Sequence, residues 1–160
     1  MPDGPFFYRQ VRIGRDAKPF RIFKIRTMRK NSEEGGPVSV YDDERILPFG
    51  KWLRETKIDT LFELINILIG DMSFVGPRPD VPGYADRLEG DDRRLLKLRP
   101  GITGPASLKY RHEDRILAQQ DNPRRYNDEV IYPDKVKINL QYLDNWSIFL
   151  DLKILWKTFF

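Results

Sequence analysis

Residues 58–79 constrain the fold of this chain more than any other segment. An apolar stretch with helical spacing opens the segment, and the sequence Gly-Pro-Arg-Pro closes it. Prolines on both sides of Arg78 fix the backbone, so we predict a turn that holds one guanidinium group in a set direction. Asp59 stands at the head of the apolar stretch. The segment therefore predicts a fold that brings a carboxylate close to a phosphate-binding cation.

The helix headed by Asp59 is predicted to be central in the fold. Thr56 and Asp59 have the spacing of a capping box, with Thr56 as the N-cap and Asp59 at the third helical position. The apolar residues that follow predict a buried stripe, which consists of Leu61, Leu64, Ile65 and Leu68 and is widened by Ile58, Phe62 and Ile69. From the residues alone, a capping role would explain Asp59 without any chemistry.

The N-terminal part of the chain predicts a β-hairpin. Residues 6–26 alternate loosely between apolar and polar side chains around a Gly-Arg-Asp turn at residues 14–16. The polar positions are nearly all basic, namely Arg9, Arg12, Arg21, Lys24 and Arg26. These bases form either a solvated face or a strip that faces phosphate, and the spacing does not decide between the two.

The remaining segments predict helices separated by loops rich in proline and glycine. Helical spacing occurs at residues 49–53, 84–98, 111–120 and 124–143, and a structured loop is expected at residues 99–105. Residues 146–160 are rich in aromatic side chains with few charges, which is typical of a core helix or a membrane-interfacial helix, and we favour the latter. The prediction is one α+β domain over residues 1–160, mostly helical, with an N-terminal β-hairpin and interfacial amphipathic helices.

Composition narrows the classes of partner. There are 28 Lys and Arg against 24 Asp and Glu, a mild excess that fits nucleic acid, an anionic membrane or a phosphorylated substrate. No nucleic-acid partner is predicted, because Lys and Arg never occur in runs longer than two. With no cysteine and with His112 as the only histidine, a bound metal would be a hard ion held by carboxylates, Mg²⁺ first. No apolar run reaches the roughly 20 residues of a spanning helix.

Three motifs together carry a resemblance to a known family. They read Lys24-Ile25-Arg26-Thr27-Met28, then Gly70-Asp71-Met72-Ser73-Phe74-Val75-Gly76-Pro77-Arg78-Pro79, then Arg99-Pro100-Gly101-Ile102-Thr103-Gly104. In this order and spacing the chain resembles the bacterial sugar transferases, the monotopic polyprenyl-phosphate phosphoglycosyl transferases. The similarity extends from Gly4 to Ile154.

The resemblance implies an activity and a site. Such enzymes transfer a phosphosugar from a nucleotide-diphosphate sugar, commonly UDP-linked, to polyprenyl phosphate, and so initiate surface glycan synthesis at the cytoplasmic face of the bacterial inner membrane. The resemblance implies Asp59 as the nucleophile, which forms a covalent phosphosugar intermediate, and Mg²⁺ as the cofactor. It groups Arg78, Arg99, Lys24 and Arg26 as phosphate-binding residues. Asp59 and Glu63 are the candidate metal ligands.

The chain departs from the family pattern in two respects. The family carries Leu-Asp-Glu-Leu-Pro-Gln where this chain reads Ile-Asp-Thr-Leu-Phe-Glu, so Thr60 replaces the acidic partner of Asp59 and Phe62 replaces a proline. The family also has a re-entrant membrane helix before this region, and we expect a catalytic domain without that anchor, soluble as this chain. The alternatives are a catalytically inactive nucleotide-sugar or phosphate-binding domain and a peripheral membrane module.

The C-terminal aromatic residues carry a further expectation. An apolar patch is predicted to be exposed beside Lys153 and Lys157, and it consists of Trp146, Phe149, Trp156, Phe159 and Phe160. Such a patch would meet the membrane surface without stable insertion.

Overall fold

The α+β prediction is confirmed by the computed structural model, which describes residues 7–29, 38, 43–56 and 58–160, without the side chains of Glu55 and Asp59. The strands are β1 (Phe7–Ile13), β2 (Pro19–Ile25), β3 (Ser73–Val75) and β4 (Gly101–Thr103). The helices are α1 (Pro48–Thr56), α2 (Glu63–Leu68), α3 (Pro105–Lys109), α4 (Glu113–Ala118), α5 (Pro123–Tyr126), α6 (Tyr132–Asp144) and α7 (Ile148–Phe159).

The predicted hairpin is confirmed, although Phe6 lies outside the described residues. Strands β1 and β2 pair antiparallel in a register that runs from Phe7 opposite Ile25 to Ile13 opposite Pro19. A short 3₁₀ turn connects them, and Asp16 and Ala17 adopt positive φ angles of 57° and 59°. The hydrogen bond from Gly14 N to Lys18 O closes this connection at 2.9 Å.

The predicted capping box at Thr56 is wrong. Thr56 is the last residue of α1, and its hydroxyl donates backwards to the carbonyl oxygens of Trp52 at 2.9 Å and Leu53 at 3.2 Å. Asp59 lies instead in a separate 3₁₀ turn, Ile58–Thr60, before α2 begins at Glu63. The hydroxyl is used at the end of one helix, so it does not cap the next one.

The predicted buried stripe on α2 is also wrong, because the helix is turned the other way. Glu63 and Asn66 are buried, at 4% and 0% exposure, whereas Leu68 is 87% exposed. The other stripe residues that keep more than a third of their surface exposed are Ile58, Leu61, Leu64, Ile65 and Ile69. The polar face is turned inward because Asn66 bonds the free edge of β2: Phe23 N donates to Asn66 Oδ1 at 3.0 Å, and Asn66 Nδ2 donates to Arg21 O at 2.9 Å.

A second, two-stranded sheet was not predicted from the sequence. Strands β3 and β4 pair in parallel, with Ser73 opposite Gly101 and Val75 opposite Thr103. The helix predicted for residues 84–98 is replaced by two 3₁₀ segments, Ala85–Arg87 and Gly90–Lys97. Gly90 has a φ angle of 58°, a left-handed conformation that prevents one continuous α-helix across this region.

The C-terminal half is helical, as predicted. Asn122 caps α5 through a hydrogen bond from Arg125 N at 3.0 Å, and a π-helical turn, Asn127–Ile131, joins α5 to α6. Ser147 caps α7, whose Ile154 packs with Val75 and Tyr142 in a core cluster. The predicted aromatic patch is exposed, since Trp146, Phe149, Trp156, Phe159 and Phe160 each keep more than half of their surface accessible. Among the described helices, none has the length and apolarity needed to cross a membrane.

Because the polar face of α2 is turned inward, we can predict how substitutions on its two faces change stability. Asn66→Ala should lower the free energy of unfolding by about 2–4 kcal/mol, because one N–H and one C=O of β2 would each lose the partner that the fully buried Asn66 provides. Leu68→Ala on the same helix should change it by about 0.5 kcal/mol or less, because the leucine is almost fully exposed. Urea denaturation of both variants measures the difference. A larger loss for Leu68→Ala than for Asn66→Ala would contradict the orientation described here.

Candidate functional site

The two proline-rich loops that were singled out in the sequence touch each other along their backbones. Gly76 N donates to Thr103 O at 2.9 Å, and Gly101 N donates to Pro77 O at 2.8 Å. A Cβ atom on Gly76 would lie only 2.3 Å from Arg99 O, and one on Gly104 would lie 2.2 Å from Gly76 O. Only glycine permits this approach, so the motif glycines fix how the Arg78 loop lies against the loop that begins at Arg99.

The hairpin holds the same Arg78 loop from its other side. Arg12 Nη1 donates to Pro79 O at 3.0 Å, and Ile13 N donates to Asp80 O at 2.8 Å. Burial and the positive charge of Arg78 lower the pKa of Arg12 below its usual value. Arg12 is half-buried and anchors the backbone that follows Arg78.

A cavity of about 520 Å³ lies beside this loop. Its walls are formed by the end of α1, the 3₁₀ turn before α2, the loop after β3, and helices α3, α6 and α7. Its apolar lining includes Leu61, Leu64, Phe74, Ile102, Leu108, Leu155 and Phe159, and its polar lining includes Thr60, Arg78, Asp80, Tyr110, Arg111, Glu113, Tyr132, Lys135 and Asn139. Arg78 and the turn that contains Asp59 thus face one space.

Asp80 is a cavity residue that the sequence analysis did not select. Desolvation raises the pKa of its carboxyl to about 6, although the hydroxyl of Tyr132 donates to it at 3.1 Å and the charges of Lys135, Arg12 and Arg78 favour the ionised form. Its position directly after Gly-Pro-Arg-Pro was the signal that could have identified it. A carboxyl that titrates close to neutral pH beside Arg78 makes the charge of this cavity dependent on pH.

Most of the remaining polar groups named in the cavity lining already have partners in the protein. Lys135 Nζ lies 2.6 Å from Glu113 Oε2, and the Tyr110 hydroxyl donates to Asp134 at 2.6 Å. Arg111 donates to the carbonyl oxygens of residues 157 and 158 at the end of α7. Arg78 differs from these groups, because within the described part of the chain it makes no hydrogen bond.

The structure distributes the predicted site residues over several environments. Thr60, the neighbour of Asp59, lines the cavity together with Arg78, whereas the side chain of Asp59 lies outside the described part. Lys24 and Glu63, both buried, form an ion pair at 3.4 Å. The remaining two predicted phosphate-binding residues are not cavity-lining: Arg26 lies over the ring of Tyr8 at 5.2 Å, and Arg99 is exposed with its carbonyl against Gly76.

One of the two predicted metal ligands, Glu63, is already engaged in an ion pair. Glu63 faces a lysine ammonium, so it would have to leave this pair before it bound a cation. Within the described ranges, no three His, Asp or Glu side chains cluster as a preformed metal site. Mg²⁺, however, is commonly held by one or two carboxylates together with substrate phosphates. The Mg²⁺ site at Asp59 and Glu63 therefore stays a prediction.

Asp80 generates a pH-dependent prediction. Because folding raises the pKa of Asp80 from 3.8 to about 6, its ionisation costs stability as the pH rises through this interval. Asp80→Asn should therefore raise the free energy of unfolding at about pH 7.5 by up to about 3 kcal/mol, and the gain should vanish near pH 4, since a pKa unit corresponds to about 1.36 kcal/mol. Denaturation at both pH values measures this. A gain that is equal at the two pH values would contradict the raised pKa.

Comparison with known proteins assigns the family. The family model for bacterial sugar transferases matches residues 1–160. The uncharacterized sugar transferase EpsL of Bacillus subtilis (strain 168) is 36% identical over 154 residues, which are 96% of this chain and 68% of that protein. The UDP-glucose:undecaprenyl-phosphate glucose-1-phosphate transferase of Klebsiella pneumoniae is 35% identical over 162 residues, 98% of this chain and 32% of that protein. The UDP-N-acetylgalactosamine-undecaprenyl-phosphate N-acetylgalactosaminephosphotransferase of Aeromonas hydrophila is 33% identical over 159 residues, 97% of this chain and 34% of that protein.

The share of each relative that is matched varies. The chain spans about two thirds of the Bacillus relative and about one third of the other two. The sequence motifs, the contact between the two proline loops and the match over all 160 residues agree. The chain belongs to the bacterial sugar transferase family.

Proposed function

We propose that this chain transfers a phosphosugar from a UDP-linked sugar to polyprenyl phosphate. The observation that carries the proposal is the shared cavity, in which Arg78 and the turn of Asp59 face the same space. Relatives named for undecaprenyl-phosphate and UDP-sugar substrates support the choice of donor and acceptor. The pathway would then be the start of a surface glycan.

The proposed reaction has two displacements at one phosphorus atom. A carboxylate oxygen of Asp59 attacks the phosphorus that carries the sugar, and the bond to UMP breaks with its electron pair on the departing UMP. An oxygen of polyprenyl phosphate then attacks the same phosphorus and releases the Asp59 carboxylate. A carboxylate is a competent nucleophile at phosphorus when positive groups offset the charge that develops there.

Arg78 is the proposed principal phosphate ligand. Its planar fork suits two phosphate oxygens, and its hydrogen-bonding capacity is unused in the described part of the chain. Lys24, Arg26 and Arg99 remain proposed as supporting cations. Among these, Lys24 would act mainly through its charge, because its ammonium group is buried against Glu63.

Mg²⁺ is proposed as the cofactor, with Asp59 as the protein ligand that fits it best. When bound, it would neutralise negative charge on the diphosphate. Thr60 supplies no carboxylate, so this chain has less anionic support for the ion than a glutamate at the same position would give. We therefore propose that turnover is impaired.

The activity prediction follows from this single residue. Thr60→Glu should raise the rate of UMP release, with undecaprenyl phosphate as acceptor, by roughly a hundredfold, because restored charge compensation carries a few kcal/mol. Asp59→Asn should abolish the activity, since an amide does not replace the nucleophile. Thr56→Glu is the matched control: it adds the same charge at another threonine that lines the cavity. UDP-glucose and UDP-N-acetylgalactosamine are suitable donors.

The alternative function is a binding domain of the same fold without catalysis. The loss of an acidic partner at position 60 favours this alternative. It predicts that UDP-sugar binds with unchanged affinity in Asp59→Asn and that neither variant releases UMP. No gain from Thr60→Glu together with no loss from Asp59→Asn would therefore replace the enzyme proposal with this one. A gain from Thr56→Glu equal to that from Thr60→Glu would show an unspecific charge effect.

We propose that the protein acts at the cytoplasmic face of the bacterial inner membrane, and the exposed aromatic patch supports contact with a membrane surface. We expect weak, salt-sensitive binding to anionic liposomes, because aromatic side chains on α7 are exposed beside Lys153 and Lys157. Trp156→Ser should weaken co-sedimentation several-fold. Trp52→Ser, at a comparably exposed tryptophan on α1, is the control and should have little effect. Equal losses in the two variants, or binding that is indifferent to salt, would contradict the prediction.

A further inference from the structure

One face of α6 forms a polar wall of the cavity. Tyr132, Lys135 and Asn139 line it at helical spacing, so they lie on one side of the helix. The Tyr132 hydroxyl donates to Asp80 at 3.1 Å, which places the first of them close to the Arg78 loop. Asn139 comes two turns later, roughly 10 Å further along the helix axis. The wall therefore leads from the anion-binding end of the cavity to a buried amide.

Asn139 differs from the other polar residues of this wall. Tyr132 donates to Asp80, and Lys135 Nζ donates to Glu113 Oε2 at 2.6 Å. Asn139 is only 5% exposed, yet its Oδ1 atom has no hydrogen-bond partner within the described part of the chain. A buried acceptor without a partner costs free energy, and for that reason buried amides are normally paired. An unpaired amide in the wall of a cavity is suited to a partner that arrives with a ligand.

The chemistry of the wall selects a ligand that both donates and accepts hydrogen bonds. The oxygen of the Asn139 amide requires an O–H or N–H donor, and its nitrogen offers N–H groups in return. The Lys135 ammonium group, one turn away, has further N–H donors beyond the one directed at Glu113. An ionised phosphate only accepts hydrogen bonds, and an apolar chain does neither. A hydroxyl group does both, and a sugar ring carries several hydroxyls in fixed directions.

We propose that Asn139 binds a hydroxyl group of the transferred phosphosugar, with Lys135 as a second contact, and is a specificity-determining residue for that sugar. This inference rests on the proposed function. In that reaction the sugar stays on the phosphorus through both displacements, whereas UMP departs after the first. A buried wall therefore suits the sugar, and the open side of the cavity suits the departing UMP. With the phosphorus at Arg78, one hexose ring reaches along α6 towards Asn139.

The test compares ligands that differ only in the sugar. The α,β-methylene analogues of UDP-glucose and UDP-N-acetylgalactosamine carry a methylene bridge in place of the oxygen at which UMP would leave, so they bind without reaction. The α,β-methylene analogue of UDP is the reference without a sugar. Calorimetry gives the ratio of sugar-analogue affinity to reference affinity. In Asn139→Leu this ratio should fall about tenfold for the tighter sugar analogue, and affinity for the reference should stay within about twofold of wild type.

Stability supplies a readout that separates ligand binding from a structural role. Leucine has the branching and the side-chain atom number of asparagine, so Asn139→Leu should not lower the urea midpoint, because it removes an unpaired buried acceptor. Asn127→Leu is the matched control. Asn127 is 7% exposed, lies off the cavity and donates to Asp128 Oδ1 at 2.9 Å. Its replacement should lower the midpoint and leave the affinity ratio unchanged.

A second variant guards against an effect of side-chain shape. Asn139→Ala removes the same amide without added bulk, and it should lower the affinity ratio as Asn139→Leu does. An unchanged ratio in both variants would overturn the inference. An equal loss of affinity for the sugar analogues and the reference would overturn it too, because Asn139 would then contact the nucleotide.

Failure of this inference is distinguishable from failure of the proposed function. UMP release from the natural UDP-sugars reports the transfer reaction, whereas the methylene analogues report binding alone. If the ratio falls as expected but the wild type releases no UMP, the transfer proposal fails and the sugar contact stands. If UMP release is robust and the ratio does not change, the sugar contact fails alone. If the wild type binds none of the analogues, the sugar contact fails whatever the rate of UMP release.

Discussion

The contact between Asn66 and the edge of β2 is the interaction on which the rest of the structure depends. An isolated two-stranded hairpin is marginal in water, and its outer edge presents unpaired backbone groups. Asn66 satisfies one donor and one acceptor on that edge through a single amide side chain. Its own carbonyl also accepts from the backbone N–H groups of Asp71 and Met72, at 2.9 and 3.1 Å. One residue thereby joins the hairpin to α2 and sets the direction in which the chain leaves towards β3.

From that point, backbone contacts determine where Arg78 lies. Strand β3 pairs with β4, the motif glycines permit close approach of the two loops, and Arg12 holds the carbonyl of Pro79. Each of these contacts joins segments that are far apart in the sequence. The backbone that carries Arg78 is therefore held by the fold as a whole, and the two prolines contribute only the local stiffness.

The sequence was sufficient for features that depend on local patterns. Period-2 alternation identified the hairpin, and the glycines and prolines identified the two loops that meet. It failed for α2, where Leu61, Leu64, Ile65 and Leu68 have the spacing of a core stripe, because periodicity identifies a face but not the side on which the core lies. The orientation of α2 is determined by the hydrogen bonds that it makes to the edge of β2, together with the buried ion pair of Lys24 and Glu63. Asp80 was missed for a similar reason, since its environment is built by α6 and the hairpin.

The charge balance of the cavity explains why position 60 separates the two candidate functions. Arg78 is opposed there by Asp80, and because burial raises the pKa of that carboxyl to about 6, the cavity gains positive character as the pH falls from neutral towards 6. Thr60 leaves this balance as it is, which favours ground-state binding of a phosphate. A glutamate at the same position would add a negative charge that repels the substrate anion but recruits a divalent cation, which offsets more charge in the transition state than in the ground state. With threonine, this compensation would be missing from the proposed transfer, and on that basis we propose that turnover is impaired.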